Sequence, residues 1–431
     1  MIFKKAAAPP PLRGTIRVPG DKSISHRALI LSALAEGTST VTGLNLGGDV
    51  LATASALGAL GAKVTSAEGS TRATIASPGY DRLHEPSGVL DCGNSGTALR
   101  MLLGVCAAIS GQSVLTGDET LRRRPMLRVV SPLRQMGARI DGRDHGNLAP
   151  LTVRGGELAG IDLETSVASA QVKTAVLLAG LAASGETTVI EPALSRDHTE
   201  RMLGAAGVEV RRAGLAVSII GGARPVAREW AVPGDPSAAI FLVLAALLVP
   251  GSSIEIENVC LNPTRIAGLE ALAEMGGQVE MTPTGEASGE PVGTVTAAHS
   301  ELHGIAVAPE RVPDLIDEIP ALCIAGALAS GTTSFRGAAE LRVKESDRIA
   351  TMAAGLTALG VDVEEFPDGL AVTGGAALEG GEIDPHGDHR VAMSFAVGGL
   401  IARDKVRVLD WSCVETSFPR FLDVLGEAQA K

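Results

Sequence analysis

Long apolar stretches recur along the chain, and each of them begins with a cluster of polar or charged residues. Stretches of this length that are apolar on every face predict helices buried inside a domain. Five of the six continue into a Gly-x-Ser or Gly-x-Thr turn and a predicted strand, whereas the last continues through Asp404-Lys405 into a strand at 406–410. The predicted helices are residues 23–35, 95–110, 169–184, 237–249, 317–330 and 388–402.

A second, shorter helix is predicted downstream of each of the five turns. Each of these helices ends at a glycine-containing turn, after which another strand begins. The first turns start at Gly37, Gly111, Gly185, Gly251 and Gly331, which are separated by 74, 74, 66 and 80 residues. A period of this length predicts stacked α/β units rather than a solenoid of short repeats. The segments that carry the end of the second helix and the following strand are 56–64, 133–140, 202–210, 272–280 and 356–365.

The tripeptide Pro-Gly-Asp precedes two of the apolar helices, at 19–21 and 233–235, an interval of 214 residues. The interval is about half of the 431-residue chain, which is itself too long for a single core. Ordinary turn chemistry also produces this tripeptide, but its matched position before matched helices favours an internal duplication. We therefore predict two halves of three repeats each, with the chain crossing between them at the tripeptides. The first half is 19–235, the second combines 1–18 with 236–431, and the hinge crossings lie near 19–22 and 233–236.

The composition narrows the class of protein. Apolar residues make up 45% and aromatic residues 2% of the chain, and the formal net charge is −12. An acidic chain with so few aromatic rings lacks the basic surface and the stacking platforms that bind nucleic acid. The most apolar run, 238–249, is 12 residues long, which is too short to span a bilayer. The N-terminal segment 1–14 has no apolar core long enough for a signal peptide.

The five cysteines show neither a Cys-x-x-Cys pair nor metal-ligand spacing. Most of them lie in apolar sequence, which indicates buried thiols in a reducing compartment. We therefore expect a cytoplasmic protein with no membrane association and no nucleic-acid partner. No cluster of His, Cys, Asp and Glu has the spacing of a metal site, so we expect neither a metal nor another cofactor. The cysteines are Cys92, Cys106, Cys260, Cys323 and Cys413.

The first turns of the apolar helices are more polar than capping alone requires. Helix N-termini present unpaired backbone N–H groups and a partial positive charge, so they readily bind anions. If the interior helices of one half run parallel, their N-termini emerge on one face. Ser, Asn and Asp also serve as simple caps, but a cap needs neither Lys22 and Arg27 nor His389 and Arg390. The polar starts are residues 22–27, 94–97, 169–173, 317–318 and 388–390.

Three further segments concentrate positive charge, at 122–124, 195–198 and 342–348. In the last of them Lys344 and Arg348 are spaced i,i+4, which places both on one face of a helix. Each segment alone is compatible with a solvated charged surface. In a chain that is acidic overall, however, cations close to polar helix starts predict a focused site for a small polyanion. Arginine suits phosphate and carboxylate because it donates two parallel hydrogen bonds.

Several motifs, in the same order along the chain, resemble those of the 5-enolpyruvylshikimate-3-phosphate synthase family. The resemblance implies a two-domain inside-out α/β barrel, in which each domain has three βαβαββ repeats with parallel interior helices. It also implies transfer of the enolpyruvyl group of phosphoenolpyruvate to the 5-hydroxyl of shikimate 3-phosphate in aromatic amino acid biosynthesis, through a noncovalent tetrahedral adduct. Under this interpretation we expect a monomer whose halves close on the first substrate. The motifs are Gly-Asp-Lys-Ser-Ile-Ser-His-Arg (20–27), Gly-Asn-Ser-Gly-Thr-Ala-Leu-Arg (93–100), Arg-Arg-Pro-Met (123–126), Ser-Ala-Gln-Val-Lys (169–173), Leu-Arg-Val-Lys-Glu-Ser-Asp-Arg (341–348) and Asp-His-Arg-Val-Ala-Met (388–393).

The resemblance also implies catalytic roles for four residues. Asp317 matches the base that accepts the proton of the 5-hydroxyl group, although by local sequence alone it is equally well a helix cap. Glu345 matches the acid–base group at the enolpyruvyl methylene, with Lys344 alongside it. Lys22 matches the cation between the two substrates. The reaction needs such a pair of carboxylates because the methylene carbon gains a proton while the attacking hydroxyl loses one.

Binding roles are implied for further residues, most of them at the polar helix starts. The residues matched to shikimate 3-phosphate binding are Lys22, Ser23, Arg27, Ser169, Ala170, Gln171, Arg196, Asp317 and Lys344. Those matched to phosphoenolpyruvate binding are Lys22, Asn94, Gly96, Arg124, Gln171, Arg348 and Arg390.

The chain combines features of two branches of that family. Glu340 stands where one branch has Asn, and Thr416 stands in a C-terminal segment where that branch has Lys. The segment that contains Arg196 resembles the other branch, in which the arginine at this position takes over part of the shikimate-side binding. That branch often carries Ala at the position of Gly96, where a side chain would intrude on phosphoenolpyruvate.

Three alternative functions remain open to test. The nearest is the UDP-N-acetylglucosamine enolpyruvyl transferase, which shares the fold and the enolpyruvyl donor. That family usually has a reactive Cys in the loop corresponding to 117–126, and a Lys-Asn pair where this chain has Lys22-Ser23; the loop here contains no Cys. A non-catalytic binding protein on the same scaffold predicts loss of Lys22, Asp317 or Glu345, all of which are present. A purely structural protein gains nothing from converging cations.

Overall fold

The computed structural model describes residues 1–3 and 9–429, so part of the N-terminal segment tested for a signal peptide lies outside the described residues. All of the apolar stretches form helices, as the pattern predicts. Their side chains are buried on nearly every face, because a helix that is apolar all round is stable only when it is covered all round. These interior helices are Lys22–Leu34, Gly96–Ala108, Ala170–Gly180, Pro236–Leu248, Ile319–Leu328 and His389–Gly399.

The second helix of each predicted repeat also forms. The glycines of the first turns have φ angles between 78° and 117°, and those that end the second helices have φ angles between 82° and 114°. L-residues with a side chain rarely adopt this left-handed region, which explains why glycine recurs at both turns. The second helices are Gly48–Ala59, Leu127–Gln135, His198–Ala205, Ala267–Glu274 and Arg348–Ala358.

Short helical segments complete the helical structure of the described residues. The α-helical ones are Val312–Leu315 and Phe421–Gln429. Arg143–Gly146 is a turn in which Asp144 and His145 adopt left-handed conformations, with φ angles of 50° and 57°. The 3-10 helices are Tyr80–Arg82, Leu121–Arg123, Pro309–Arg311, Ala339–Val343 and Trp411–Thr416.

The strands of the described residues form six small sheets, and the four-stranded ones share one pattern. The strand that follows an interior helix pairs in parallel with an outer strand and antiparallel with its other neighbour. Three sheets, in their spatial order, are Leu90–Asp91, Gly111–Thr116, Leu148–Gly155, Arg139–Gly142; Asp162–Glu164, Glu186–Ile190, Ala216–Ile220, Val210–Ala213; and Glu229–Ala231, Glu36–Thr42, Ala73–Pro78, Lys63–Ser66. The others are Arg13–Ile16, Ser253–Cys260, Glu290–Ala298, Gln278–Ala287; Ala306–Val307, Thr332–Phe335, Gly369–Thr373, Asp362–Phe366; and Gly381–Ile383, Val406–Val408, Ile2–Phe3.

One predicted strand is shorter than expected. The strand predicted at 406–410 ends at Val408. Asp410 adopts the left-handed conformation, with φ 38°, and extended pairing cannot pass through such a residue. The chain turns there into the 3-10 helix that follows.

The chain divides into two compact units. The first unit is Lys22–Val232 together with Glu286–Glu290, a short segment at the tip of a hairpin that the sequence pattern does not single out. The second unit combines Met1–Asp21, Pro233–Gly285 and Pro291–Lys431. None of the helices within the described residues is long and apolar enough to cross a membrane.

Interior helices pack closely within a unit. In the first unit a Cβ added at Gly104 would lie 2.2 Å from the carbonyl oxygen of Ala175. Such a contact is far inside van der Waals distance, so the helices Gly96–Ala108 and Ala170–Gly180 can approach this closely only with glycine at 104. The close approach brings the polar starts of these two helices near each other.

Candidate active site

Most of the predicted shikimate-side residues of the first unit lie at the starts of its interior helices. Ser95 and Ser169 are N-caps: the Ser95 side chain accepts from the N–H of Ala98 at 3.1 Å, and that of Ser169 from the N–H of Val172 at 3.5 Å. The simple capping interpretation is therefore correct for these two serines. It does not account for the cations beside them.

Arg27 is held in a defined orientation and is only 4% exposed. Its Nη1 donates to the carbonyl oxygen of Ser23 at 2.9 Å, one helical turn earlier. Its Nε donates to Thr199 at 2.7 Å and its Nη2 to Thr174 at 2.8 Å, and the two threonine hydroxyls lie 2.5 Å apart. Ser23 and Arg27 thus share one helix face, as the i,i+4 spacing predicts.

Lys22, the predicted cation between the substrates, forms an ion pair in this structure. Its Nζ lies 3.0 Å from Oδ2 of Asp49, and both side chains are largely buried. Asp49 stands in the first turn of the helix Gly48–Ala59, where a carboxylate is favoured by the helix dipole. The sequence pattern did not identify Asp49 as a site residue.

The loops that carry Asn94 and Arg124 are joined through Asp118. The Asn94 amide donates to Oδ2 of Asp118 at 2.8 Å, and Oδ1 of the same carboxylate accepts from the backbone N–H of Leu121 at 2.8 Å. Leu121 begins the 3-10 turn that leads directly to Arg124. The Arg124 side chain is 8% exposed, so this arginine is held in the interior rather than displayed on the surface.

Gly96 lies against two guanidinium groups. A Cβ added there would be 3.0 Å from Nη1 of Arg100 and 3.1 Å from Cζ and Nη1 of Arg124. Arg100 also donates to Oε1 of Gln171 at 2.6 Å and to the carbonyl oxygen of Pro125 at 3.1 Å. Arg100 therefore lies against two predicted substrate-binding positions, Gly96 and Gln171, and bonds the residue after Arg124. The motif at 93–100 includes Arg100, but the sequence did not predict a role for it.

The remaining residues of this cluster lie on the same elements. Ala170 is the first residue of its helix, and its carbonyl oxygen accepts from the Thr174 hydroxyl at 2.6 Å. Gln171 donates from Nε2 to the Thr97 hydroxyl at 2.9 Å. Arg196 is partly exposed in the segment before the helix His198–Ala205.

The second unit contains a cluster of carboxylates around Arg348, whose side chain is 1% exposed. Nε of Arg348 donates to Asp388 at 2.7 Å, Nη2 to Glu345 at 2.7 Å, and Nη1 to Asp317 at 3.1 Å. Burial lowers the pKa of Arg348, but the negative charges of Asp388, Glu345 and Asp317 outweigh it and raise that pKa above its usual value. The guanidinium therefore remains charged and holds both predicted catalytic carboxylates in fixed positions.

Asp317 is surrounded by cations. Its carboxylate lies 3.1 Å from Arg348, 3.6 Å from Nζ of Lys344 and 3.7 Å from Nη2 of Arg390. Arg390 also donates from Nη1 to the backbone carbonyl of Asp317 at 3.1 Å. The structure thus brings Asp317, Glu345, Lys344, Arg348 and Arg390 together, although they come from three separate segments of the sequence.

Asp388 is a site residue that sequence reasoning did not identify. It is fully buried and caps the helix His389–Gly399, with Oδ1 accepting from the N–H of Arg390 at 2.9 Å. Its other oxygen binds Arg348. One carboxylate therefore fixes both the start of the helix that carries Arg390 and the orientation of Arg348. Its position two residues before Arg390, a predicted site residue, was the signal that could have identified it.

A buried network leads from Arg390 to the Pro-Gly-Asp segments. Nη1 of Arg390 lies 3.8 Å from Oε1 of Glu318, and the same oxygen accepts from the hydroxyl of Ser237. Arg265 donates to Ser237 at 3.0 Å, to Asp235 at 2.9 Å and to Asp21. The aspartates of both Pro-Gly-Asp segments thus bind one guanidinium, which is 2% exposed.

Residues that mark the two branches lie at the edge of the second cluster or away from it. The Thr416 hydroxyl lies 3.4 Å from Nδ1 of His389. Glu340 is exposed in the 3-10 helix Ala339–Val343. Thr416 therefore contacts the helix start that carries Arg390.

The second unit holds carboxylates beside arginine and lysine. Such a site is typical of an enzyme that transfers protons on a bound polyanion. Comparison with known proteins identifies the family. The sequence profile of EPSP synthase (3-phosphoshikimate 1-carboxyvinyltransferase) matches residues 6–425. The chain belongs to this family.

Individual relatives agree over nearly the whole length. A 3-phosphoshikimate 1-carboxyvinyltransferase from Synechococcus sp. (strain JA-3-3Ab) is 50% identical over 417 residues, covering 96% of this chain and 94% of the relative. One from Gloeobacter violaceus is 51% identical and covers 97% of each chain. The solved structure of EPSP synthase from Acinetobacter baumannii is 42% identical, with a TM-score of 0.88 over 99% of this chain and 98% of that chain. The two-domain α/β fold and the family predicted from the motifs are therefore confirmed.

Proposed function

We propose that this protein transfers the enolpyruvyl group of phosphoenolpyruvate to the 5-hydroxyl of shikimate 3-phosphate and releases phosphate. The observation that carries the chemical part of the proposal is that Asp317 and Glu345 bind the same guanidinium, that of Arg348. Two carboxylates with fixed positions can transfer two different protons, which this reaction requires. Family membership over residues 6–425 supports the identity of the substrates.

The proposed reaction has two steps, addition and elimination. In the addition, C3 of phosphoenolpyruvate gains a proton, and the 5-hydroxyl oxygen forms a bond to C2 while losing its own proton. In the elimination, the tetrahedral adduct loses phosphate from C2 and a proton from the new methyl group, so that the double bond is restored. We assign removal of the hydroxyl proton to Asp317 and proton transfer at C3 to Glu345, with Lys344 beside them.

Charge complementarity supports the assignment of the binding groups. Both substrates carry phosphate and carboxylate groups, which suit arginine and helix N-termini. We assign shikimate 3-phosphate to the helix starts of the first unit, where Ser169 caps a helix and Arg27 is oriented by threonines. We assign phosphoenolpyruvate to Arg124, Arg348 and Arg390. Arg348 uses most of its N–H groups on carboxylates, so Arg124 and Arg390 supply more of the direct contact in this assignment.

The remaining assignments follow the same pattern. We place Lys22 between the substrates, where its release from Asp49 would free the ammonium group for phosphoenolpyruvate. Asn94, Gly96 and Gln171 line the phosphoenolpyruvate side, and Ser23, Ala170 and Arg196 the shikimate side. We also propose that the protein acts as a cytoplasmic monomer, which sedimentation of the purified protein would test.

The UDP-N-acetylglucosamine enolpyruvyl transferase reaction is the less favoured alternative. The loop 117–126, which precedes the helix Leu127–Gln135, contains no cysteine. The two relatives reported above are named 3-phosphoshikimate 1-carboxyvinyltransferases.

The proposal is tested by measuring phosphate release from phosphoenolpyruvate with either acceptor. We expect release with shikimate 3-phosphate and none with UDP-N-acetylglucosamine or without an acceptor. Mass spectrometry of the product should show the enolpyruvyl ether. Turnover with the sugar nucleotide but not with shikimate 3-phosphate would overturn the assignment.

A further inference from the structure

Lys173 is a buried cation to which the proposed function assigns no role. It is the fourth residue of the helix Ala170–Gly180, and its side chain is 1% exposed. Its Nζ lies 2.7 Å from Oε2 of Glu191 and 2.8 Å from Oε1 of Glu200, and these side chains are 3% and 1% exposed. All of these groups belong to the first unit.

Stability alone is a weak explanation for such a group. Removing charged side chains from water is costly, and buried ion triads can often be replaced by apolar residues without loss of stability. Furthermore, Oε2 of Glu200 is a buried acceptor with no hydrogen-bond partner among the described residues. A triad that leaves an acceptor unsatisfied is poorly optimised for stability, which points to another function.

Glu191 connects two segments that carry proposed ligands of shikimate 3-phosphate. Its Oε1 accepts from the backbone N–H of Ser169 at 2.8 Å, and its Oε2 accepts from the hydroxyl of Ser195 at 2.8 Å. Ser169 is the helix cap, and Ser195 directly precedes Arg196. The ammonium of Lys173 binds the same Oε2 and so fixes the carboxylate that holds both segments.

Glu200 connects Lys173 to the surroundings of Arg27. Thr199, the residue before Glu200, and Thr174, the residue after Lys173, both accept hydrogen bonds from the Arg27 guanidinium. The ion pair between Lys173 and Glu200 therefore joins the two backbone segments whose hydroxyls orient Arg27. A shift of one helix relative to the other would separate these hydroxyls.

We infer that Lys173 is a positioning residue for shikimate 3-phosphate: through Glu191 and Glu200 it sets the mutual geometry of Ser169, the Arg196 segment and Arg27. The inference rests on the proposed function, because it assumes that these groups bind that ligand. Anion recognition by several donors depends on their being fixed before the ligand arrives. Of the proposed phosphoenolpyruvate ligands, Gln171 lies on the helix that carries Lys173, whereas Arg124 and Arg390 lie on other elements. We therefore expect phosphoenolpyruvate binding to change less than shikimate 3-phosphate binding.

The test compares Lys173→Met with a neutral triple variant, Lys173→Met combined with Glu191→Gln and Glu200→Gln. In the single variant two buried carboxylates lose their cation, so we expect a lower melting temperature. In the triple variant the unpaired charges are gone, and thermal stability should recover. Calorimetry should nevertheless show both variants binding shikimate 3-phosphate on the order of tenfold more weakly, since small displacements of positioning groups cost this much.

A matched control separates positioning from a general loosening of the helix. Tyr80 donates from its buried hydroxyl to the carbonyl oxygen of Leu178, near the other end of the helix Ala170–Gly180. Tyr80→Phe should lower the melting temperature without changing the affinity for shikimate 3-phosphate. In all variants the KM for phosphoenolpyruvate, measured at saturating shikimate 3-phosphate, should stay within about twofold of the wild-type value.

The outcomes distinguish this inference from the proposed function. If the wild-type protein itself fails to bind shikimate 3-phosphate, the proposed function is wrong and the inference falls with it. If the wild type binds and the folded Lys173 variants bind equally well, only the inference is overturned. Ser195→Ala serves if none of the Lys173 variants folds, because it removes a partly exposed hydroxyl from Glu191; unchanged affinity in that variant would also overturn the inference.

Discussion

Arg348 donates from Nη1 to the carboxylate of Asp317 at 3.1 Å, and it does so from a fully enclosed position, with its side chain 1% exposed against 15% for Asp317. The arginine therefore lies on the buried side of the carboxylate and not on its solvent-exposed side. Glu345, at 16% exposure, binds the other terminal nitrogen of the same guanidinium. Both carboxylate side chains are thus more exposed than the buried cation that fixes their orientation.

Asp317 and Glu345 should be needed for turnover more than for acceptor binding. Asp317→Asn and Glu345→Gln are nearly isosteric and remove proton transfer, which contributes about 10²–10⁴-fold to a rate. We expect kcat to fall by that amount in each variant, while calorimetry still detects shikimate 3-phosphate binding. Full turnover in either variant would remove that residue from the proposed mechanism.

The arginines should differ in what they contribute. Arg124→Ala and Arg390→Ala each remove one partner of a charge-assisted contact, at a cost of about 2–5 kcal/mol, so the KM for phosphoenolpyruvate should rise with little loss of stability. Arg348→Ala should also lower the melting temperature and kcat, because it leaves Asp317, Glu345 and Asp388 without their shared cation. Normal phosphoenolpyruvate kinetics in all three variants would contradict the site assignment.

A side chain at position 96 should act through Arg124. The added Cβ of Gly96→Ala would lie 3.1 Å from the Arg124 guanidinium and 3.0 Å from that of Arg100, so at least one of them must shift. Overpacking of this kind costs about 1–3 kcal/mol. We expect the KM for phosphoenolpyruvate to rise about tenfold while shikimate 3-phosphate still binds.

Gly156→Ala provides the control for this substitution. It adds the same methyl group in the first unit, where no heavy atom lies within 4 Å of the new Cβ. Its steady-state parameters should match the wild type. An equal rise in KM for both variants would mean that Gly96 has no special relation to Arg124.

The hydrophobic pattern was sufficient to predict most of the fold. Each predicted interior helix forms because an apolar stretch of that length has no stable alternative to burial. The turns were predictable because left-handed φ angles restrict them to glycine. The strand end at Val408 was not predictable, because Asp410 adopts the left-handed conformation in a loop without such a glycine.

The site was predictable only in part, because its charges interact across long stretches of sequence. Arg100 and Gln171 are 71 residues apart, and Arg348 and Asp388 are 40 apart. Local sequence shows that such residues are charged or polar but not which partner they meet. The motif resemblance predicted site roles for Asp317 and Glu345, whereas the roles inferred for Arg100 and Lys173 follow from their contacts.

The thiols should be dispensable for turnover. All five cysteines are buried, and none of them forms a disulfide. Burial raises the pKa of Cys106 to about 12, and it also raises the pKa of Cys92 and Cys323, so the reactive thiolate is suppressed at neutral pH. A thiol reagent at pH 8 should therefore inactivate the protein only as fast as it unfolds.

The same burial predicts how stability depends on alkaline pH. Because the folded pKa of Cys106 lies above the unfolded value, folding retains a proton that the unfolded chain releases. The contribution of this thiol to the free energy of unfolding is complete below about pH 8.5, the ordinary thiol pKa. It is lost as the pH rises towards 12. Cys106→Ala should flatten this part of the stability profile. In the experiment with the thiol reagent, rapid inactivation of the folded protein would instead implicate a reactive cysteine, if the substrates prevented it.

Arg265 should be costly to remove from the second unit. It binds Asp21 and Asp235, which are separated from it by 244 and 30 residues, and reaches Glu318 through Ser237. Arg265→Met preserves apolar volume but leaves these buried carboxylates without their cation, a change that costs about 3–5 kcal/mol. Chemical denaturation at pH 7 should show that loss. The control is Arg311→Met, which removes an exposed ion pair with Glu274 in the same unit and should cost about 1 kcal/mol or less. Equal losses for both variants would mean that the aspartates of the Pro-Gly-Asp segments do not depend on Arg265.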